Sequence, residues 1–222
     1  MTRTTKLAVA GLLGLLLLAG AAYAGLFALG ALPRLGFAPG YTFVDARGGR
    51  LTSEDLRGHV VLYTFAPAAG DAPHRDPASV MRAVQDALPE ADGEIPLRLV
   101  TVILDAPPDA LPDALAEAAR QAGADPARWH FTAGPPEAVR TAVRDGFGVW
   151  YEDAPNGGIA YDPVFVVVDG MGIVRSRHRV GLPPADVLLG DLRSVVREAS
   201  AATGAARLAY EAAHLFQCYP PR

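Results

Sequence analysis

The sequence predicts an α/β fold: a mixed β-sheet flanked by helices, preceded by an N-terminal transmembrane helix and followed by a C-terminal helical tail. Three observations lead there. The runs HVVLYTF, LRLVTVIL and VFVVV are almost wholly apolar, as strands buried on both faces must be. Stretches with apolar residues at helical spacing alternate with those runs. The last two strands are joined by the turn Asp169-Gly170-Met171-Gly172, and a further helical stretch follows them.

The elements follow in chain order. From Leu7 to Leu32 no side chain is charged, and the stretch exceeds the roughly 20 residues a helix needs to span a bilayer. Arg3 and Lys6 precede it without any acidic residue, which puts the N-terminus in the cytoplasm and the rest of the chain outside. The rival reading is a signal peptide cleaved after Ala22-Tyr23-Ala24, giving a secreted protein. Against cleavage, the apolar run continues for eight residues beyond Ala24. No cysteine lies near this segment, so a lipid-modified cysteine is not the anchor. Residues 33–40 read as a Pro/Gly linker. Residues 41–45 and 49–52 read as a hairpin over a glycine turn, and residues 53–56 as a single helical turn. Residues 59–65 form the first buried strand and 77–88 a helix, with Val80, Met81, Val84 and Leu88 on one face. Residues 97–104 form the second buried strand. Residues 111–122 form an Ala-rich helix stopped at Gly123. A short strand at 129–131 and a helix at 137–145 come next. Residues 164–168 and 172–177 are the closing strands, and 184–199 the last helix. The domain therefore spans 41–199 and the helical tail 200–222. A closing β-hairpin followed by a helix is the thioredoxin layout.

Composition narrows the function. The 222 residues are 50% hydrophobic and include one cysteine, Cys218. One cysteine makes no intramolecular disulfide, so dithiol–disulfide cycling within the chain is excluded, as are Cys-rich zinc sites. Removing the first 32 residues leaves 18 of the 20 basic residues against all 24 acidic ones, a net charge of −6. No basic footprint for nucleic acid remains. No phosphate-binding loop, dinucleotide fingerprint, nucleophile elbow or zinc-protease motif occurs.

Several segments, in order, resemble the SCO/SenC family of membrane-anchored, thioredoxin-like copper proteins. LRGHVVLYTF (56–65) is similar to the family's first core strand and its lead-in. VILDAPPD (102–109) is similar to its strand-to-aspartate segment, and WHFTAG (129–134), FGV (147–149) and FVVVDG (165–170) to three further ones. The resemblance covers residues 41–199. It implies an exported copper chaperone with a C-x-x-x-C pair five residues after the aromatic that ends the first core strand, and a distal histidine eight residues before the aspartate of the later strand. Those positions fall on Gly70 and His74, counted from Phe65, and on Tyr161, counted from Asp169. Both thiols and the distal histidine are absent. The thiolates are what would hold cuprous copper and cycle with a disulfide. Pro163 is also similar to the cis-proline that precedes a strand in the thioredoxin superfamily, so a cis Asp162–Pro163 bond is expected, the alternative being an ordinary trans proline that starts a strand.

The remaining chemistry-bearing residues are few. His74 is the best metal-ligand candidate, because it stands where the family has a thiol; its bland reading is a loop histidine near a helix start. His59 and His130 read as surface and structural residues, and His178 as part of a solvated basic face, with an anion site of Arg175, Arg177 and Arg179 as the sharper alternative. His214 and Cys218 are four apart on an amphipathic stretch containing Leu208, Leu215 and Phe216, which suits either a soft-metal pair or a packed helix. Asp105 and Asp109 lie at a strand end, where α/β proteins bind ligands, but turn and cap roles explain them equally well. The leading expectation is a non-enzymatic, membrane-anchored accessory factor with no cofactor, linked through its family to assembly of a respiratory oxidase, an oxidase subunit being the expected protein partner. The alternatives are a copper-binding protein with a site rebuilt around His74, and a thiol peroxidase or reductase using Cys218.

Overall fold

The computed structural model describes residues 31–69, 75–88, 95–107, 111–155 and 158–200, together with Gly14. The expected membrane anchor therefore lies outside the described residues except at Gly14, Ala31 and Leu32. Gly70, His74, Asp109 and the tail with His214 and Cys218 also lie outside them. No helix among the described residues is long and apolar enough to cross a membrane.

Among the described residues from Gly36 to Ser200, ten strands and four α-helices succeed one another. They are β1 (Gly36–Phe37), β2 (Thr42–Asp45), β3 (Arg50–Thr52), β4 (Val60–Ala66), α1 (Pro77–Ala87), β5 (Leu97–Ile103), α2 (Leu111–Ala122), β6 (Trp129–Ala133) and α3 (Pro136–Arg140). A π-helical turn at Thr141–Gly146 follows, then β7 (Tyr151–Asp153), β8 (Ile159–Tyr161), β9 (Phe165–Val168), β10 (Ile173–His178) and α4 (Ala185–Ser200). Eight strands form one mixed sheet in the order β1-β10-β9-β4-β5-β6-β2-β3, while β7 and β8 pair separately. β4, β5 and β6 run parallel, and β9 lies antiparallel to β4.

The period-2 geometry of the strands divides the core in two. Val60 and Leu62 of β4, Leu99 and Ile103 of β5, and Phe165 and Val167 of β9 face α1, α2 and α4. Val61, Tyr63 and Phe65, with Val100, Val102 and Val166, face the opposite layer, which contains Val139, Val143, Phe147 and Tyr161. Three long helices thus cover one face, and α3 with its π turn and the β7–β8 hairpin cover the other. Helix α1 starts where Asp76 accepts a hydrogen bond from the Ala78 N–H and Pro77 takes the first helical position, where a missing N–H costs nothing. Helix α2 stops at Gly123, whose φ of 69° suits glycine.

The structure departs from expectation at four places. The linker contains a strand: β1 pairs with β10 through Gly36↔Val174 and Phe37↔Ile173. Two residues cannot display an alternating pattern, so this strand leaves no trace in the sequence. The helix expected at 137–145 is α-helical only to Arg140 and then widens into the π turn. The β7–β8 hairpin was not anticipated. The Asp162–Pro163 bond, expected cis, is trans; no described peptide bond is cis. Pro163 lies between β8 and β9, outside both strands, where no ladder N–H is needed, and the trans form is the intrinsically favoured one.

A bulge in β10 sets the packing of the last helix. Val174 opposes Val168, but Ser176 opposes Val167, so Arg175 is the extra residue. In a regular strand residues 175 and 178 would point to opposite faces. The extra residue brings both onto α4: Arg175 Nη2 donates to Glu198 Oε2 at 2.5 Å, and His178 Nε2 lies 2.8 Å from Asp191 Oδ2. Arg175 is 2% exposed, and all three of its nitrogens are used. Nη1 donates to Asp169 Oδ2 at 3.1 Å, Nη2 also to the Leu32 carbonyl at 2.7 Å, and Nε to the Pro33 carbonyl at 3.3 Å. Asp169 also accepts the N–H groups of Met171 and Ile173, each at 3.0 Å. Removing one partner of a buried ion network leaves charges unpaired in a poor solvent. Arg175→Ala should therefore lower the unfolding free energy by about 3–5 kcal/mol, read from urea denaturation. A loss close to zero would show that Asp169 and Glu198 are solvated without it.

Candidate functional site

The site that the resemblance points to lies at the C-terminal ends of β4 and β5, where the crossover to α1 begins. Parallel strands end here with their loops facing outward, the usual ligand position of α/β sheets. β4 and β5 stay in register to Ala66↔Ile103, and the Leu104 N–H then donates to the Ala66 carbonyl at 3.0 Å. The connecting loop is fixed at both of its described ends. Asp105 Oδ1 accepts the Ala68 N–H at 2.6 Å, tying the loop's start to the end of β5. Arg75 Nη2 donates to the Tyr161 carbonyl at 3.0 Å, tying its end to β8. Asp105 thus ties two loops that are 37 residues apart in the chain. Arg75 was not singled out in the sequence, because nothing in a local pattern marks a side chain whose partner lies 86 residues away.

Tyr161, the position at which the resemblance leads one to expect the distal histidine, is 2% exposed and belongs to the core layer with Phe147, Val149, Tyr151 and Val164. The next segment is held against β4 by Thr64 Oγ1, which donates to the Val164 carbonyl at 3.1 Å. This bond satisfies the hydroxyl of a fully buried threonine, and it fixes Pro163 beside the end of the central strand. Under the loop's first residues is a cavity of about 80 Å³ lined by Ala66, Pro67, Ala68, Thr101 and Asp76. Asp76 is its one titratable lining residue among those described, and it is engaged as the helix cap.

The implied copper can be tested against this donor set. Cuprous ion favours thiolate and thioether ligands. Gly70 offers no side-chain donor and a tyrosine phenol is a hard oxygen donor. His74 alone of the three positions carries a donor of suitable softness. Among the described residues no three His, Cys, Asp or Glu side chains come together as a metal set. The residues present do not fit the family's copper site.

The other histidines are spread over the fold. His59 precedes β4, its Nδ1 lying 3.1 Å from the Arg57 carbonyl. His178 is not on a solvated basic face as expected, because the bulge turns it onto Asp191. The three-arginine anion site does not form either: Arg175 is buried among carboxylates, while Arg179 is exposed. His130 is half-buried on β6 beside the β2 turn. Burial, reinforced by the positive charge of Arg47, holds its pKa below the usual histidine value. At Asp45 burial pushes the carboxyl up, but hydrogen bonds from the Arg47 side chain and from the Arg47 and Gly49 N–H groups outweigh it, so its pKa is lowered.

These two shifts give a pH dependence with a definite sign. For His130 the unfolded chain takes up a proton near pH 6.5 and the folded chain at a lower pH. Stability is therefore whole above about pH 6.5 and falls as pH drops through that value towards the lowered folded pKa. His130→Gln should remove this slope, measured as urea midpoints between about pH 5 and 7.5. The Asp45 contribution is present above its unfolded pKa of about 4 and is lost as pH falls through the lower folded value. Asp45→Asn should flatten the acid limb in the same assay.

Comparison with known proteins agrees with the geometry. The SCO1/SenC family profile matches residues 32–196. No curated protein matches the sequence significantly. Among solved structures, a SCO1/SenC family lipoprotein from Bacillus anthracis superposes with a TM-score of 0.64 at 19% identity, over 73% of this chain and 96% of that one. Copper-bound ScoI of Arabidopsis thaliana gives 0.60 at 16% identity, over 72% and 99%. BsSco, a member of the Sco family of cytochrome c oxidase assembly proteins in which a disulfide switch has been identified, gives 0.62 at 20% identity, over 73% and 95%. At such identities the superpositions speak for the fold, while the profile covers most of the chain. Matched by the family profile over residues 32–196, this chain belongs to the SCO1/SenC family.

Proposed function

We propose that this chain is a non-redox member of its family: an extracytoplasmic interaction or accessory domain, held at the membrane by residues 7–32, that assists assembly of a respiratory oxidase. What supports the reading is that the three positions which the resemblance assigns to the ligands carry no thiol and no histidine at the distal position, in a chain that the family profile matches over residues 32–196. A disulfide switch such as that identified in BsSco needs two thiols, and this chain has Cys218 alone. Tyr161 is built into the core, so restoring a histidine there would mean repacking the layer around Phe147 and Val149. The loop between β4 and α1 nevertheless keeps its anchors, Asp105 and Arg75. What such a scaffold retains is a shaped surface at the end of the sheet, suited to contact with another protein.

Two measurements test the reading. Tagged protein extracted from its native membranes should co-purify with oxidase subunits, and should do so equally well as His74→Ala and Cys218→Ala variants. Recovery without any oxidase subunit would overturn the oxidase link. Titration with cuprous ion under reducing conditions should give the same weak, non-stoichiometric uptake for wild type and His74→Ala. One tightly held copper per chain, lost in His74→Ala, would replace this reading with the rebuilt metal site. Peroxide turnover abolished by Cys218→Ala would replace it with the thiol peroxidase.

A further inference from the structure

A wide groove among the described residues lies at the end of the sheet opposite the candidate site. It has a volume of about 710 Å³, with Leu88, Ile95 and Leu97 on one side and Leu189, Leu192 and Val196 of α4 on the other. Arg193 and Arg197 stand at its edge, and no described carboxylate forms an ion pair with either. The groove runs along α4 from residue 189 to residue 197 and so ends just before Ser200, where the described chain stops.

Gly190 is the second observation. It sits inside a 16-residue helix, where glycine is among the poorest helix formers. A Cβ built on it would meet nothing within 4 Å. No described neighbour therefore requires a glycine, yet the residue leaves a notch in the wall of the groove. A notch of this kind allows a bulky side chain from a second helix to approach the backbone closely.

We propose that the chain's own C-terminal segment, residues 205–219, occupies this groove as a helix antiparallel to α4. Residues 201–204 supply a connection of the length usual between antiparallel helices, and Gly204 suits its turn. Ala205, Leu208, Ala212, Leu215 and Tyr219 fall on one face at helical spacing, with Phe216 at its edge and Glu211 on its flank. At 1.5 Å per residue in both helices, a return after four residues brings Glu211 level with Arg193 and Arg197. The same register brings Leu215 and Phe216 level with Leu189 and Gly190. The apolar stripe then meets the apolar wall, the one acid of the segment meets two arginines, and Phe216 fills the notch.

The test uses the full chain in phospholipid nanodiscs and compares wild type, Gly190→Leu, and a form ending at Gly204. Amide hydrogen exchange over residues 186–199 is the first readout. Removal of the segment should speed exchange there on the order of tenfold, with β4 and β5 unchanged. Gly190→Leu puts a side chain into the notch from a Cβ that has no described atom within 4 Å, so it should fold normally and free the segment. Exchange over 205–219 should then rise. The second readout is a bimane label on Cys218, which should be indifferent to nitroxide-bearing lipids. Equal exchange of α4 with and without the segment would overturn the proposal. Quenching of the label by the lipids would overturn it in favour of a membrane-surface helix. Protection of α4 that depends on protein concentration would overturn it in favour of a second copy.

Discussion

Strand β4 has no solvent face, and the architecture follows from that constraint. All seven of its residues are buried, with β5 on one edge and β9 on the other. Each large apolar side chain on it contributes about 1.5–3 kcal/mol by leaving water, provided that something covers both faces. Helices α1, α2 and α4 cover one, and α3, the π turn and the β7–β8 hairpin cover the other. Polar groups taken into this interior must find partners there. Thr64 donates to the Val164 carbonyl, and the Trp129 indole donates to Thr101 at 2.9 Å. Through Thr64 the same constraint reaches the candidate site, because that bond fixes the segment carrying Pro163 beside the end of β4.

The bulge at Arg175 does for the last helix what β4 does for the sheet. It places two donors, Arg175 and His178, against two carboxylates seven residues apart on α4. Arg175 also gathers the Leu32 and Pro33 carbonyls and Asp169, so the start of the described domain, the β9–β10 turn and the end of α4 meet at one guanidinium. The planar fork of arginine suits this role, since it presents several donors in fixed directions. Leu32 and Pro33 are therefore tied to the β9–β10 turn and to α4 through one buried side chain.

At the candidate site the sequence was informative about losses and silent about supports. The expectation that the family's thiol positions fall on Gly70 and His74 rests on local spacing from Phe65, at the end of a strongly apolar strand. The expectation for Tyr161 rests in the same way on spacing from Asp169. That its ring is part of the core could not be read, because Tyr161 is partnered by Tyr151 in a short hairpin whose strands are too brief to show a period. Arg75 and Asp105 act on backbone groups 86 and 37 residues away, and no local pattern records such contacts. The cis form of the Asp162–Pro163 bond was inferred from resemblance alone, and the local backbone takes the ordinary trans geometry.

The sequence by itself determined the buried strands, the three long helices that alternate with them or follow them, the absence of a dithiol, and the apolar stretch that reads as an anchor. These follow from hydrophobic period, from composition and from the length of an uncharged run, which are properties of neighbouring residues. Tertiary structure alone decided that β1 closes the sheet, that a bulge turns Arg175 and His178 onto α4, and that the basic run 175–179 is no anion site. Strand pairing and ion pairing join residues far apart in the chain. Their energies depend on which groups leave water together, and that is decided only when the layers pack.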